Sequence, residues 1–202
     1  MTFFELDDEN SKYWTSFIEI YNESFSSSEQ EDIKVIKNRV LEKRYILTLA
    51  QVEEEIVGFY LVDIVKKHSY AILTFLAISE KYRAKGYGTL LCSEMIKQAL
   101  HLKDISYLFV EAEKRQAFFY KKLGFKKLLL DYNVPSFNTQ ESTQMSLLLV
   151  PITNKDMTYI DVKALKEIVS DVFIDGYSLN IDDERLKKQL NLINKDIRLE
   201  SK

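Results

Sequence analysis

The stretch Arg83–Thr89, Arg-Ala-Lys-Gly-Tyr-Gly-Thr, combines two glycines with two basic residues. It follows an apolar run, Ile72–Ile78, that indicates a buried strand. It precedes a segment with an apolar residue at every fourth position (Leu91, Met95 and Ala99), which predicts a helix starting at the glycines. The first turn of a helix has unpaired N–H donors, its dipole favours negative charge, and glycine lets an anion approach closely. The stretch therefore predicts a site for a phosphate-bearing ligand.

The spacing of the glycines separates this stretch from two other phosphate-binding motifs. A P-loop requires Gly-x-x-x-x-Gly-Lys-Ser/Thr, which the sequence does not contain. A dinucleotide-binding fingerprint requires a small residue three positions after Gly88, where Leu91 stands.

The pattern Arg83-x-x-Gly86-x-Gly88 resembles the acetyl-CoA-binding motif of the GCN5-related N-acetyltransferases (GNAT). Downstream, Phe119-Tyr120-Lys121-Lys122-Leu123-Gly124-Phe125 is similar to the late helix and following strand of that family. The resemblance implies that acetyl-CoA is the co-substrate, bound through its pantetheine arm by strand backbone and through its pyrophosphate by Arg83 and the turn, with a strand N–H stabilising the oxyanion. The residues so assigned are Leu76, Ala77, Ile78, Arg83, Ala84, Lys85, Gly86, Tyr87, Gly88 and Thr89.

Two side chains are candidates for proton transfer. Tyr120 matches the family tyrosine placed near the thioester sulfur, so the resemblance implies that it protonates the departing thiolate; a packed aromatic beside Phe118 and Phe119 is the alternative. Glu111 ends a predicted strand, where α/β sheets generally place ligands, and a partly buried carboxylate there could act as the base. The alternatives for Glu111 are a structural or substrate-orienting carboxylate.

Other charged or reactive residues are weaker candidates. Three further carboxylates near the first two helices could serve as the base: Glu23, Glu29 and Glu31. Glu113 stands where many family members carry an Asn that contacts the cofactor, so that contact is not expected here. His68, His101 and Cys92 have no partners at metal-ligand spacing, and no metal is expected.

Several elements must position these residues. The sequence predicts a helix carrying Trp14 and Phe17, and further elements in the following order: a helix over 28–43, a hairpin of strands 45–52 and 56–65, a strand over 105–111, a helix over 114–122, a strand over 125–131, an irregular stretch over 132–143 and a strand over 144–150. The fold class is α/β. The family resemblance implies a mixed central sheet, flanked by helices, whose two central parallel strands (72–78 and 105–111) splay apart.

Pro151 marks the predicted boundary between an acetyl-CoA-binding domain (1–150) and a helical C-terminal extension (151–202). One helical stripe runs from Val162 to Phe173, and a second comprises Leu186, Leu190, Ile193 and Ile197. Packing on the sheet domain is expected for both, and a homodimer or partner contact stays open.

The composition describes a globular protein of 202 residues with 46% apolar and 29% charged residues. A net charge of −3 gives no attraction to nucleic acid or to an anionic membrane, so neither is an expected partner. The single cysteine, the acidic N-terminus and the lack of a membrane-length apolar run favour the cytoplasm.

These observations predict an N-acetyltransferase that moves an acetyl group directly from CoA to an amine in a ternary complex. The acceptor is a small-molecule or protein amine. The alternative is a protein that retains the fold but senses acyl-CoA or binds a partner without turnover.

Overall fold

A computed structural model describes residues 1–137 and 139–200. The chain divides into two compact units. The first unit comprises Met1–Val65 and Ala71–Lys103; the second comprises Lys66–Tyr70 and the described residues from Asp104 onward.

The first unit contains three whole strands and all but the first residue of a fourth, which are neighbours in chain order: β1 (Thr2–Glu5), β2 (Tyr45–Val52), β3 (Glu55–Val65) and β4 (Tyr70–Ile78). The pairings of β1 with β2 and of β2 with β3 are antiparallel, which confirms the predicted hairpin. Its helices are α1 (Tyr13–Ser24), α2 (Ile33–Leu41) and α3 (Tyr87–Ala99).

Aromatic side chains form the core between α1 and the strands of the first unit. The ring of Phe17 lies 4.7 Å from that of Phe59 on β3, and the ring of Tyr21 lies 4.9 Å from that of Phe75 on β4. Phe17 and Tyr21 have no exposed surface. Fully burying a large apolar side chain contributes about 1.5–3 kcal/mol, so these contacts fix α1 against β3 and β4.

The second unit is built on an antiparallel arrangement around one long strand, β8 (Ser142–Pro151). Three strands pair with it: β5 (Tyr107–Ala112), β6 (Lys126–Lys127) and β7 (Tyr132–Pro135). A separate pair consists of β9 (Tyr159–Ile160) and β10 (Ile197–Arg198). The helices are α4 (Lys114–Lys122), α5 (Val162–Asp171) and α6 (Glu184–Leu192), and a π-helical turn, Val172–Gly176, follows α5.

The structure corrects four details of the predicted secondary structure. Helix α2 begins at Ile33 rather than near Ser28, because the Asp32 carboxylate caps it by accepting from the Lys34 N–H at 2.7 Å. The predicted strand 125–131 contains only the two-residue β6. The stretch expected to be irregular contains β7, with Pro135 at its end, where an edge strand tolerates proline. Ile193 and Ile197 lie beyond α6, and Ile197 pairs with Ile160 as a strand.

The predicted fold class is confirmed as a mixed α/β structure with a central, mostly antiparallel sheet flanked by helices. The predicted C-terminal helices are present as α5 and α6, accompanied by β9 and β10. The domain division after residue 150 stays a prediction. None of the helices in the described part of the chain is long and apolar enough to span a membrane.

Candidate active site

The turn between β4 and α3 holds two residues in left-handed backbone conformations. Ala84 has φ +61°, and Gly86, the residue that precedes α3, has φ +82°. A β-carbon built on Gly86 would find no heavy atom within 4 Å, so the space beside this backbone is open. Gly86 therefore serves the conformation of the turn, and it leaves room for a ligand against the start of the helix.

The first turn of α3 presents backbone N–H groups at this open space. Thr89 and Leu90 already donate to the Gly86 carbonyl oxygen, at 3.1 and 3.3 Å. The N–H groups of Tyr87 and Gly88 precede them, in the part of a helix whose donors have no acceptor within the helix. This geometry is suited to an anion such as a phosphate.

Arg83 connects this turn to the rest of the first unit. Its Nε donates to the Ile78 carbonyl oxygen at 3.0 Å, and its Nη2 donates to Ser24 Oγ at 3.2 Å. A guanidinium has five N–H donors, so these two bonds leave capacity for a phosphate. Lys85 lies nearby in the turn with its Nζ 5.0 Å from the centroid of the Tyr82 ring.

Glu111, on β5, is held by two tyrosines of the second unit. The Tyr132 hydroxyl donates to Oε1 at 2.5 Å, and the Tyr177 hydroxyl donates to Oε2 at 2.6 Å. Burial raises the pKa of the Glu111 carboxyl, and the two hydroxyl donors oppose that rise. A carboxyl whose pKa is raised is a stronger base than an ordinary carboxylate and is better suited to accept a proton.

Tyr120 is buried on α4, with 8% of its surface exposed. Its ring makes edge contacts with Phe119, at a centroid distance of 5.2 Å, and with Phe125, at 5.4 Å. These contacts fix the ring. They are compatible with both predicted roles, as a packed aromatic and as a proton donor.

The three weaker candidates for the base all have structural partners. Glu23 Oε1 accepts from the Glu80 N–H at 2.8 Å, and Glu29 Oε2 accepts from the Ser26 N–H at 2.8 Å. Glu31 is buried and accepts from Arg39 Nη1 at 2.6 Å. All four carboxylates thus have hydrogen-bond donors as partners, and the assignment of Glu111 as the base stays a prediction.

The predicted cofactor-binding residues thus lie in the first unit, along the end of β4, the following turn and the start of α3. Both predicted proton-transfer residues lie in the second unit. The partners of Glu111, Tyr132 and Tyr177, were missed by the sequence reasoning, since neither lies within twenty residues of Glu111 in the chain. Within residues 1–137 and 139–200, no group of three or more His, Cys, Asp or Glu residues is arranged to hold a metal ion.

The sequence and the fold of this chain are similar to those of known proteins. The model of the acetyltransferase (GNAT) family matches residues 11–125, more than half of the chain. Among curated proteins, none matches the sequence significantly.

Solved structures share the fold at low sequence identity. A protein from Bacteroides thetaiotaomicron assigned to the GNAT family of acetyltransferases superposes with a TM-score of 0.72 at 16% identity, covering 89% of this chain and 100% of that one. A GNAT family acetyltransferase from Elizabethkingia anophelis with acetyl-CoA bound gives 0.53 at 17% identity, covering 74% and 97%. The ribosomal-protein-S18-alanine N-acetyltransferase from Escherichia coli gives 0.57 at 15% identity, covering 77% and 99%.

Proposed function

Because this chain belongs to the acetyltransferase (GNAT) family, we propose that it transfers the acetyl group of acetyl-CoA directly to the nitrogen of an amine within a ternary complex. The observation that carries this proposal is the open space beside Gly86, against which the first N–H groups of α3 are presented. A phosphate fits this space because it needs both N–H donors and close approach to the backbone. The acetyl-CoA bound to the Elizabethkingia relative supports the choice of co-substrate.

Residues of the first unit bind the co-substrate. The N–H groups from Lys85 to Thr89, with Arg83, hold the pyrophosphate, and the backbone of Leu76, Ala77 and Ile78 pairs with the pantetheine arm. A backbone N–H at the end of β4 donates to the thioester oxygen as negative charge develops on it, which lowers the barrier because the donor is oriented in advance.

Residues of the second unit move the protons. Glu111 takes a proton from the acceptor ammonium, so that the nitrogen lone pair can attack the thioester carbon. The C–N bond forms, the C–S bond breaks, and Tyr120 donates a proton to the departing thiolate. The second proton of the amine and the proton held by Glu111 leave to solvent, and Tyr120 is reprotonated from solvent. Cys92 is buried, and a single free thiol fits a reducing compartment, so we propose the cytoplasm as the location.

The proposal is tested by measuring thiol release from acetyl-CoA in the presence of primary amines of different size. Acetyl transfer predicts amine-dependent release of CoA together with an acetylated acceptor in equal amount, detected by mass spectrometry. Binding of acetyl-CoA without release, across the amine panel, would instead favour a protein that senses acyl-CoA.

A further inference from the structure

Glu111, which is partly exposed, has different partners from three carboxylates that are buried. Glu31 pairs with Arg39 at 2.6 Å, Asp63 pairs with Arg44 at 3.0 Å, and Asp171 pairs with Lys67 at 2.9 Å. Glu111 has two tyrosine hydroxyls as partners and, among the described residues, no cation. A carboxylate that is partly removed from water is commonly paired with a positive charge, because its two hydrogen bonds do not fully offset the lost hydration.

We propose that the missing positive charge is that of the acceptor: Glu111, oriented by Tyr132 and Tyr177, forms the binding site for an alkylammonium group. This inference rests on the proposed function, since it names the class of amine that the transferase takes. The two hydroxyl bonds place one donor on each carboxylate oxygen. Each oxygen keeps a further lone pair, which is the capacity that an ammonium N–H needs.

Aromatic rings next to the carboxylate extend the site in a way that suits an organic cation. The ring of Phe137 lies 4.9 Å from that of Tyr177, with an angle of 33° between the planes, and both side chains are partly exposed. Phe173, fully buried, supports Tyr177 at 6.1 Å. Aromatic faces attract a cation and also cover an apolar group attached to it. An ammonium that carries an aryl or alkyl substituent fits this combination.

The C-terminal segment builds this site. Tyr177 directly follows the π-helical turn after α5 and reaches Glu111 across 66 residues of sequence. The strand that carries Tyr132 is fixed by α6, because Gln189 accepts from the Asn133 N–H at 2.9 Å and donates to the Asp131 carbonyl oxygen at 3.0 Å. The segment after residue 150 therefore determines which amine the enzyme accepts.

The competing explanation is that Glu111 is protonated and neutral, which would remove the need for a cation. The two explanations differ in what the site binds, because a neutral carboxylic acid has no preference for an ammonium over an alcohol of the same shape. The test is a calorimetric titration of the full chain, saturated with CoA, with 2-phenylethylamine and with 2-phenylethanol. At neutral pH these probes have the same shape and differ in charge.

We expect the amine to bind at least about tenfold more tightly than the alcohol, and we expect Glu111→Gln to abolish the difference. Asp131→Asn is the matched control, because it removes an exposed carboxylate next to Tyr132 and should leave the difference intact. Tyr177→Phe should weaken amine binding severalfold, because it removes one hydroxyl that orients Glu111 and keeps the negative charge of the carboxylate. The comparison of the two probes on the wild-type chain decides the question even if a variant fails to fold.

Equal binding of the two probes, no binding of the amine, or an unchanged preference in Glu111→Gln would each overturn the inference. Failure of this inference can be told apart from failure of the proposed function, which is judged by whether CoA itself binds and is released from acetyl-CoA. Binding of CoA without preference for the amine would overturn only the inference about Glu111. Failure of CoA to bind would overturn the proposed function.

Discussion

Gly58 on β3 lies so close to Ala77 on β4 that a β-carbon on Gly58 would stand 2.5 Å from the Ala77 carbonyl oxygen. The same β-carbon would stand 2.6 Å from Ile78 Cδ1. A side-chain end can move away, but a strand carbonyl can do so only by shifting the backbone. Gly58 thus sets the position of the strand residues that we assign to the pantetheine arm.

Gly58→Ala is expected to lower the free energy of unfolding by about 1–3 kcal/mol, the usual cost of overpacking. It should also weaken acetyl-CoA binding, because the displaced residues are Ala77 and Ile78. Denaturant unfolding and calorimetric titration measure the two effects. Gly176→Ala is the control: its β-carbon would meet only Val172 Cγ1 at 4.0 Å, so binding should not change. Normal acetyl-CoA binding by Gly58→Ala would contradict the role given to this strand.

Tyr120→Phe should lower kcat by a factor on the order of 10²–10³, the low range for general acid catalysis. The loss is modest because a thiolate is already a good leaving group, and the phenyl ring preserves the contacts with Phe119 and Phe125. Steady-state kinetics measure the loss, and Tyr107→Phe, at another tyrosine of the second unit, should leave kcat unchanged. A Tyr120→Phe enzyme as fast as the wild type would leave this residue with a packing role only.

The pH dependence of the free energy of unfolding should include a contribution from the partly buried carboxyl of Glu111. Burial raises its pKa above the ordinary value of 4.5, so the folded state binds more protons than the unfolded state between the two values. The contribution of this carboxyl to the free energy of unfolding is therefore greatest below about pH 4.5, and it is lost as the pH rises through the folded pKa. Unfolding of Glu111→Gln, measured from pH 4 to pH 8 (the range about the ordinary value), should lack this fall.

The pKa of Asp183 is shifted in the opposite direction to that of Glu111, so the two carboxyls should affect stability at opposite ends of the pH range. Hydrogen bonds from Arg185 lower the pKa of its carboxyl from 3.8 to about 2, so its contribution to stability is present above the ordinary value and is lost as pH falls. Asp183→Asn should therefore differ from the wild type less at low pH than at neutral pH. Parallel pH dependences for the Glu111→Gln and Asp183→Asn differences would rule out the assignment for Glu111.

Glu31→Gln should destabilise the protein without changing the chemistry. The carboxylate is paired with the partly buried Arg39 and accepts from the Tyr45 hydroxyl at 3.0 Å, so Glu31→Gln removes the negative charge of a largely buried ion pair. Breaking such a pair costs about 3–5 kcal/mol. The pH profile of kcat/KM should match that of the wild type at a temperature where the variant is folded. A missing acid limb would identify Glu31 as the base instead.

The parts of the fold that the sequence predicted correctly are those whose cause is local. The β2–β3 hairpin follows from two apolar runs around a charged turn, and α3 follows from its apolar spacing after Gly86. The glycine-bearing turn before α3 was predicted as well, and the structure adds that Gly86 has a left-handed φ, which glycine tolerates.

The parts that escaped prediction depend on contacts between distant segments. Ile197 continues the apolar spacing of α6, yet it forms a strand because it pairs with Ile160. Asp196 stabilises that arrangement, since its Oδ1 accepts from the Val162 N–H at 3.0 Å. Tyr177 carries no local signal for its role, because only the folded chain places its hydroxyl on Glu111. Secondary-structure propensity and apolar periodicity describe residues that are close in sequence, so they do not predict pairings between distant segments.

The most direct test of the account is a calorimetric titration with acetyl-CoA of the wild type, Gly86→Glu and Gly124→Glu. Both glycines have a positive φ, +82° and +99°, and neither would place a β-carbon within 4 Å of another atom, so the two variants share the backbone strain and the added charge. The account predicts micromolar binding by the wild type and by Gly124→Glu, and loss of binding in Gly86→Glu, whose carboxylate would occupy the phosphate position. Equal binding by all three proteins, or no binding by the wild type at millimolar acetyl-CoA, would contradict it.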